Sequence, residues 1–209
     1  MRPLICLMLF FTVSFGQTTQ YVPPVFPDTD RAAKVEATRT IVDKMFKEHA
    51  ENQHLPGLVY GVVLDGKLLY TGAFGYSNLE KKYTAEATSL FRIASMSKSV
   101  TALAILQLRD VGKLNLDDPA SKYIPEMKKL KHLANDAPEI TIRHLLTHGA
   151  GFPEDNPWGD RQLDDSDAEL RKLMADGPSF SNVPGIEYEY SNVGFALLGQ
   201  IVQVVSELN

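Results

Sequence analysis

The sequence holds one cysteine, Cys6, and one tryptophan, Trp158, among 209 residues. A single thiol cannot form an internal disulfide, so the fold must rest on packing. Basic residues form no run longer than pairs such as Lys81-Lys82, and the formal net charge is −5. Nucleic acid and anionic membrane surfaces are therefore poor partners, and a small molecule or short peptide fits better. The apolar run from Leu4 to Phe15 falls short of the ~20 residues that a membrane span requires. Internal repeats and low-complexity tracts are also missing.

What is present begins with a secretory signal pattern. Arg2 is the charged start, Leu4 to Phe15 the apolar segment, and Ser14-Phe15-Gly16 the small residues before a cut ahead of Gln17. An uncleaved anchor or a buried N-terminal strand is the other reading of the same run. Cleavage removes Arg2 and Cys6, one basic residue and the one cysteine, taking the net charge from −5 to −6. The expected location is secreted or periplasmic, with no stable membrane anchor after cleavage. The organisation then reads as a signal over 1–16, an extended Pro-rich linker over 17–29 and one domain over 30–209. With 44% hydrophobic residues, the chain can bury one sizeable core, or a core and a small subdomain.

Apolar spacing at Val35, Ile41, Met45 and Phe46 predicts a helix over 30–52, capped by Asp28 or Thr29. Residues 57–64 and 67–74 are β-like runs around Asp65-Gly66, a strong hairpin signal. The stretch Val100 to Leu108 is apolar almost all round and ends at Gly112, which predicts a buried helix with a glycine stop. Asp117-Asp118-Pro119 turns the chain into 121–124. Thr141 caps a short helix closed by His148-Gly149, and Val183-Pro184-Gly185 is a turn. Residues 154–167 read as an acidic surface excursion, and 191–208 as a second strongly apolar helix.

Ser95-Met96-Ser97-Lys98 stands at the mouth of the first apolar helix. Residues three apart share a helix face, so the Lys98 amine can reach the Ser95 hydroxyl and activate it without histidine. On its own the pattern is weak: chance supplies about one such match in a chain of this length. A serine cap followed by a solvated lysine is the bland alternative. A second element, Tyr190-Ser191-Asn192, opens the other apolar helix. Burial of Lys98 against its helix would lower the amine pKa, and a nearby ammonium would favour the Tyr190 phenolate. Lys98 and Tyr190 can then share the task of taking the Ser95 proton, and the residues alone leave open which is the base. The Ser95 N–H near a helix N-terminus would favour developing negative charge.

These elements together resemble the serine β-lactamase-related superfamily, nearest to its class C β-lactamase, penicillin-binding-protein-like and esterase branch. The resemblance rests on Ser95-Met96-Ser97-Lys98, then His148-Gly149-Ala150-Gly151-Phe152, then Pro184-Gly185 leading into Tyr190-Ser191-Asn192. It runs from about Val35 to Asn209. It implies an α/β (α+β), three-layer β-lactamase/transpeptidase-like fold with an antiparallel sheet. It also implies a serine acyl hydrolase that forms an acyl-enzyme on Ser95, with Lys98 and Tyr190 catalytic and Asn192 holding Lys98 and the substrate amide. No cofactor or metal is expected. The substrate would be a β-lactam, an ester or a D-amino-acid peptide.

Tyr76-Ser77-Asn78 repeats the tripeptide but precedes Ser95 and opens no apolar helix, so Tyr76 is expected to be a turn residue. His144 and His148, four apart, could share a helix face as a metal pair does. However, Leu145 stands where a metalloprotease carries glutamate, so structural histidines are the better reading. Trp158 could line a cleft or serve only local packing. The family's third motif, a Lys-Thr-Gly or His-x-Gly strand, is missing. The expectation is therefore an N-terminal portion of a longer enzyme, catalytically impaired and poorly folded as the isolated chain. A non-catalytic binding or regulatory domain of the same fold is the alternative.

Overall fold

The computed structural model describes residues 24–155 and 165–207. The signal segment, Cys6 and Trp158 lie outside the described residues. The chain divides into two units, Met1–Phe91 and Arg92–Asn209.

In the first unit the expected hairpin forms, with β1 (Gly57–Leu64) antiparallel to β2 (Lys67–Asn78). Asp65 and Gly66 both adopt positive φ, 49° and 74°. A two-residue loop of that hand matches the right-handed twist of the strands, which is why Asp-Gly suits it. β2 runs four residues beyond the expected end and pairs with a short β3 (Tyr83–Thr84), giving the order β1-β2-β3. Tyr76 is therefore a strand residue opposite Thr84, not a turn residue. Ser77 Oγ donates to the Tyr83 and Thr84 carbonyls, and Asn78 accepts from the Lys81 N–H. The second Tyr-Ser-Asn copy is occupied in joining two strands.

The long N-terminal helix is two helices, α1 (Arg31–Glu36) and α2 (Arg39–Asn52). The break falls at Thr38, whose hydroxyl and N–H both turn back to the Val35 carbonyl, at 2.7 and 3.0 Å. Such back-bonding competes with the helical ladder. The cap residue is Asp30, and Asp28 accepts the Asp30 N–H from outside the helix. Tyr60 on β1 anchors this unit: its ring stacks on Phe46 of α2 at 4.3 Å, and its hydroxyl donates to Asp43.

The second unit is helical. A 3₁₀ turn (Ala94–Met96) leads into α3 (Ser97–Asp110), and 3₁₀ turns at Ala120–Lys122 and Pro125–Lys129 precede α4 (Ile142–Leu146). Then come α5 (Asp167–Asp176) and α6 (Asn192–Ser206). Gly112 ends α3 as expected: its N–H bonds the Arg109 carbonyl, and the Lys113 N–H reaches back to Leu108. The core joins Ile105, Ile124, Ile142, Leu145, Leu197 and Ile201, with α3 and α4 both packed on α6.

One expectation fails here. α3 is buried only at Ile105, while Val100 and Leu103 are 62% and 56% exposed. An all-round apolar sequence permits burial on every side, but within this unit α6 supplies one covered face. Ser95 is accordingly exposed rather than set on a dry element. Helix α5 was not anticipated, although Ser166-Asp167-Ala168-Glu169 is a capping-box sequence. Ser166 accepts the Glu169 N–H, Glu169 accepts the Ser166 N–H, and Leu170 and Met174 enter the core. Among the described residues, no helix is long and apolar enough to cross a membrane.

Candidate active site

The site is assembled at the N-terminal ends of α3 and α6. Ala94, just before the nucleophile candidate, has φ 44°, a left-handed conformation that costs a non-glycine residue about 1 kcal/mol or more. The 3₁₀ turn that opens with Ala94 carries Ser95, and α3 carries Lys98 one turn on. Lys98 Nζ lies 3.4 Å from Ser95 Oγ, so the helical spacing does what the sequence suggested.

On α6, Ser191 is the cap: its Oγ accepts the Gly194 N–H at 3.1 Å. Tyr190 just precedes the helix and Asn192 is its first residue. The Tyr190 hydroxyl lies 2.6 Å from Ser95 Oγ and 2.7 Å from Lys98 Nζ, and Lys98 also donates to Asn192 Oδ1. Ser95, Tyr190 and Asn192 thus take the three ammonium protons of Lys98. The ammonium also lies 4.7 Å from the Tyr190 ring centre and 5.7 Å from that of Phe195, within range of a cation–π attraction. All four expected site residues meet.

Burial pushes the Tyr190 phenol up, but the hydrogen bonds from Lys98 and Ser95 and the Lys98 charge outweigh it. The phenol is held below the ordinary tyrosine range. Lys98 and the Tyr190 hydroxyl thus both lie within hydrogen-bonding distance of Ser95 Oγ, at 3.4 and 2.6 Å.

The two histidines sit apart in role. His144 Nδ1 accepts the Thr141 N–H and completes a capping box on α4. His148 Nδ1 accepts the Ser191 N–H at 3.0 Å, and its ring lies 4.7 Å from Tyr190 and 5.0 Å from Phe195. Burial, and then the Lys98 charge, press His148 toward the neutral form, opposed by Asp155. Both histidines hold backbone.

The loop after α4 frames the site. Gly151 has φ 83°, and a Cβ there would lie 2.2 Å from the Asn182 carbonyl oxygen. That approach lets the Gly151 carbonyl accept the Ser181 N–H, while the His148 carbonyl accepts the Glu189 N–H. Two carboxylates were missed in the sequence. Glu189 accepts from Ser181 Oγ, Asn182 Nδ2 and the Glu154 N–H. Asp155 accepts from Ser191 Oγ and from the N–H groups of Asn192 and Val193. Asp155 lies in acidic, polar sequence that reads as solvated surface, and no local spacing ties it to α6.

Comparison with known proteins adds an independent finding. The family model described as Beta-lactamase matches residues 42–208. The chain is 35% identical over 169 residues to Protein flp of Staphylococcus aureus (strain N315), an alignment covering 79% of this chain and 33% of that protein. It resembles the octameric penicillin-binding protein homologue from Pyrococcus abyssi at 28% identity and TM-score 0.67, covering 81% of this chain and 40% of the other. A class C beta lactamase structure matches at TM-score 0.69 and 23% identity, covering 88% of this chain and 48% of that one. At that identity the likeness is one of fold. The chain spans about a third of the curated relative's length and under half of these solved structures.

Proposed function

This chain belongs to the beta-lactamase family, and from that premise we propose that it carries the acylation core of a serine acyl hydrolase, with Ser95 as nucleophile. Its mixed helical and antiparallel-sheet architecture is the β-lactamase/transpeptidase fold. The observation that carries the proposal is the three-way contact of Lys98 with Ser95, Tyr190 and Asn192.

In the proposed reaction Tyr190, as phenolate beside the Lys98 ammonium, takes the Ser95 proton while Ser95 Oγ bonds to the substrate carbonyl carbon. The carbonyl oxygen becomes an oxyanion, for which the Ser95 N–H is one donor. Collapse breaks the bond to the leaving amine or alkoxide, which takes the proton from Tyr190. Water then hydrolyses the ester on Ser95, regenerating the hydroxyl and releasing the acid. Asn192 holds Lys98 and meets the substrate amide. The substrate is a small-molecule or short-peptide acyl compound: a β-lactam, an ester or a D-amino-acid peptide. The chemistry requires no cofactor. The Arg2 to Gly16 signal pattern supports a secreted or periplasmic site of action.

A fluorescent fluorophosphonate incubated with the full-length protein, followed by peptide mass mapping, tests this reading. Stoichiometric label on Ser95, absent from Ser95→Ala, is the expected result. A folded protein that takes no label overturns the proposal in favour of a non-catalytic domain of the same fold.

A further inference from the structure

We infer that Asp155 is a positioning residue for the Tyr190–Asn192 element, acting on the reaction through the N-terminus of α6. The inference rests on the serine-hydrolase reading above. The first turn of a helix leaves backbone N–H groups without partners. In α6 each one is taken by a side chain. His148 Nδ1 accepts from Ser191 N at 3.0 Å, Asp155 Oδ1 from Asn192 N at 2.6 Å, Asp155 Oδ2 from Val193 N at 2.9 Å, and Ser191 Oγ from Gly194 N at 3.1 Å. Asp155 Oδ2 also receives the Ser191 hydroxyl at 2.9 Å. That bond turns the Ser191 lone pairs toward Gly194.

A cap of this kind ordinarily comes from the helix's own flank. Here it comes from a residue 37 positions away from Asn192, on the loop that follows α4. A carboxylate is suited to the place, because the helix dipole favours negative charge there and charge-assisted bonds are the shorter and stronger ones. The loop is itself tied to the residue before Tyr190: the Glu154 N–H donates to Glu189 Oε1 at 3.0 Å. Tyr190 is thus gripped on both sides, through the Glu189 side chain and through the backbone of Asn192. Asn192 is one of the groups that orient Lys98. A small displacement of this helix end would therefore open the 2.6 Å contact to Ser95 and the Lys98 contact together.

The test separates positioning from mere stability. Fluorophosphonate labelling of full-length wild type, Asp155→Ala and Asp155→Asn is followed for two quantities, the final stoichiometry on Ser95 and the rate of labelling, alongside thermal melting. The expected result is unchanged final stoichiometry with labelling about 10- to 100-fold slower in Asp155→Ala. Asp155→Asn should lie between, since its amide can still accept but presents a donor to one of the three partners. An unchanged rate in a folded variant overturns the inference and leaves the hydrolase reading intact. So does a fall in stoichiometry matched to lost folded protein in both variants, with the folded fraction reacting at the wild-type rate. A folded wild type that takes no label overturns the hydrolase reading, and this inference with it.

Discussion

The Tyr190 hydroxyl lies 2.6 Å from Ser95 Oγ, across 95 positions of sequence. With its proton affinity lowered by Lys98 and Ser95 against the effect of burial, Tyr190 as the proposed base would act when deprotonated. Labelling of Ser95 should therefore rise with pH through a phenol value below the ordinary ~10 and level off above it. Tyr190→Phe should remove that limb and slow labelling by about 10²- to 10⁴-fold. A Tyr190→Phe protein with the wild-type pH–rate profile would exclude the phenol as base.

Lys98 acts on the same limb from the other side. In Lys98→Met the ammonium's hydrogen bond and charge vanish while burial of the phenol remains. The limb should move to higher pH, and labelling near neutrality should fall by at least about 10-fold. A limb that stays in place, measured on the same probe, would show that Lys98 does not tune Tyr190.

Acid should loosen the helix end before it unfolds the chain. Burial chiefly, and the Lys98 charge after it, hold His148 below the usual histidine value, opposed by Asp155. A group depressed in the folded state contributes stability that is present above the unfolded value of about 6.5. That contribution is lost as pH falls through the lower folded value, where protonated Nδ1 can no longer accept the Ser191 N–H. His148→Asn, which keeps an acceptor without titrating, should melt with a shallower pH dependence than wild type below about pH 6.5. His144, depressed mainly by its own burial, should leave a residual slope. Parallel melting curves for the two proteins would exclude the His148 contribution.

Gly151→Ala should destabilise the protein by more than about 1 kcal/mol. Its φ of 83° suits glycine, and the added Cβ would meet the Asn182 carbonyl oxygen at 2.2 Å. Chemical denaturation measures the loss. A variant as stable as wild type would mean that the loop rearranges freely.

Much of the local structure was legible because it is decided within a few residues. Asp65-Gly66 fixes a hairpin turn, Thr141 caps a helix, and Gly112 ends one. The Ser95–Lys98 pair follows from helical spacing alone. The long N-terminal helix was misread, because its apolar points continue across Thr38 while a side-chain hydrogen bond breaks the ladder. Tyr76 was misread because its strand partner, Thr84, lies beyond the next turn.

The sequence by itself determined the candidates for the proposed chemistry: a serine and a lysine one turn apart, and a tyrosine and an asparagine at the head of a second helix. Only the tertiary structure decided that they meet. Packing of α3 and α4 on α6 through residues such as Ile105, Leu145 and Leu197 brings the two helix ends together. The structure also decided that α3 keeps an exposed face and that Asp155 is anything more than a surface acid. The reason is physical: spacing along a helix fixes neighbours within about one turn. Which distant N–H groups a carboxylate finds depends on where the loop carrying it is packed.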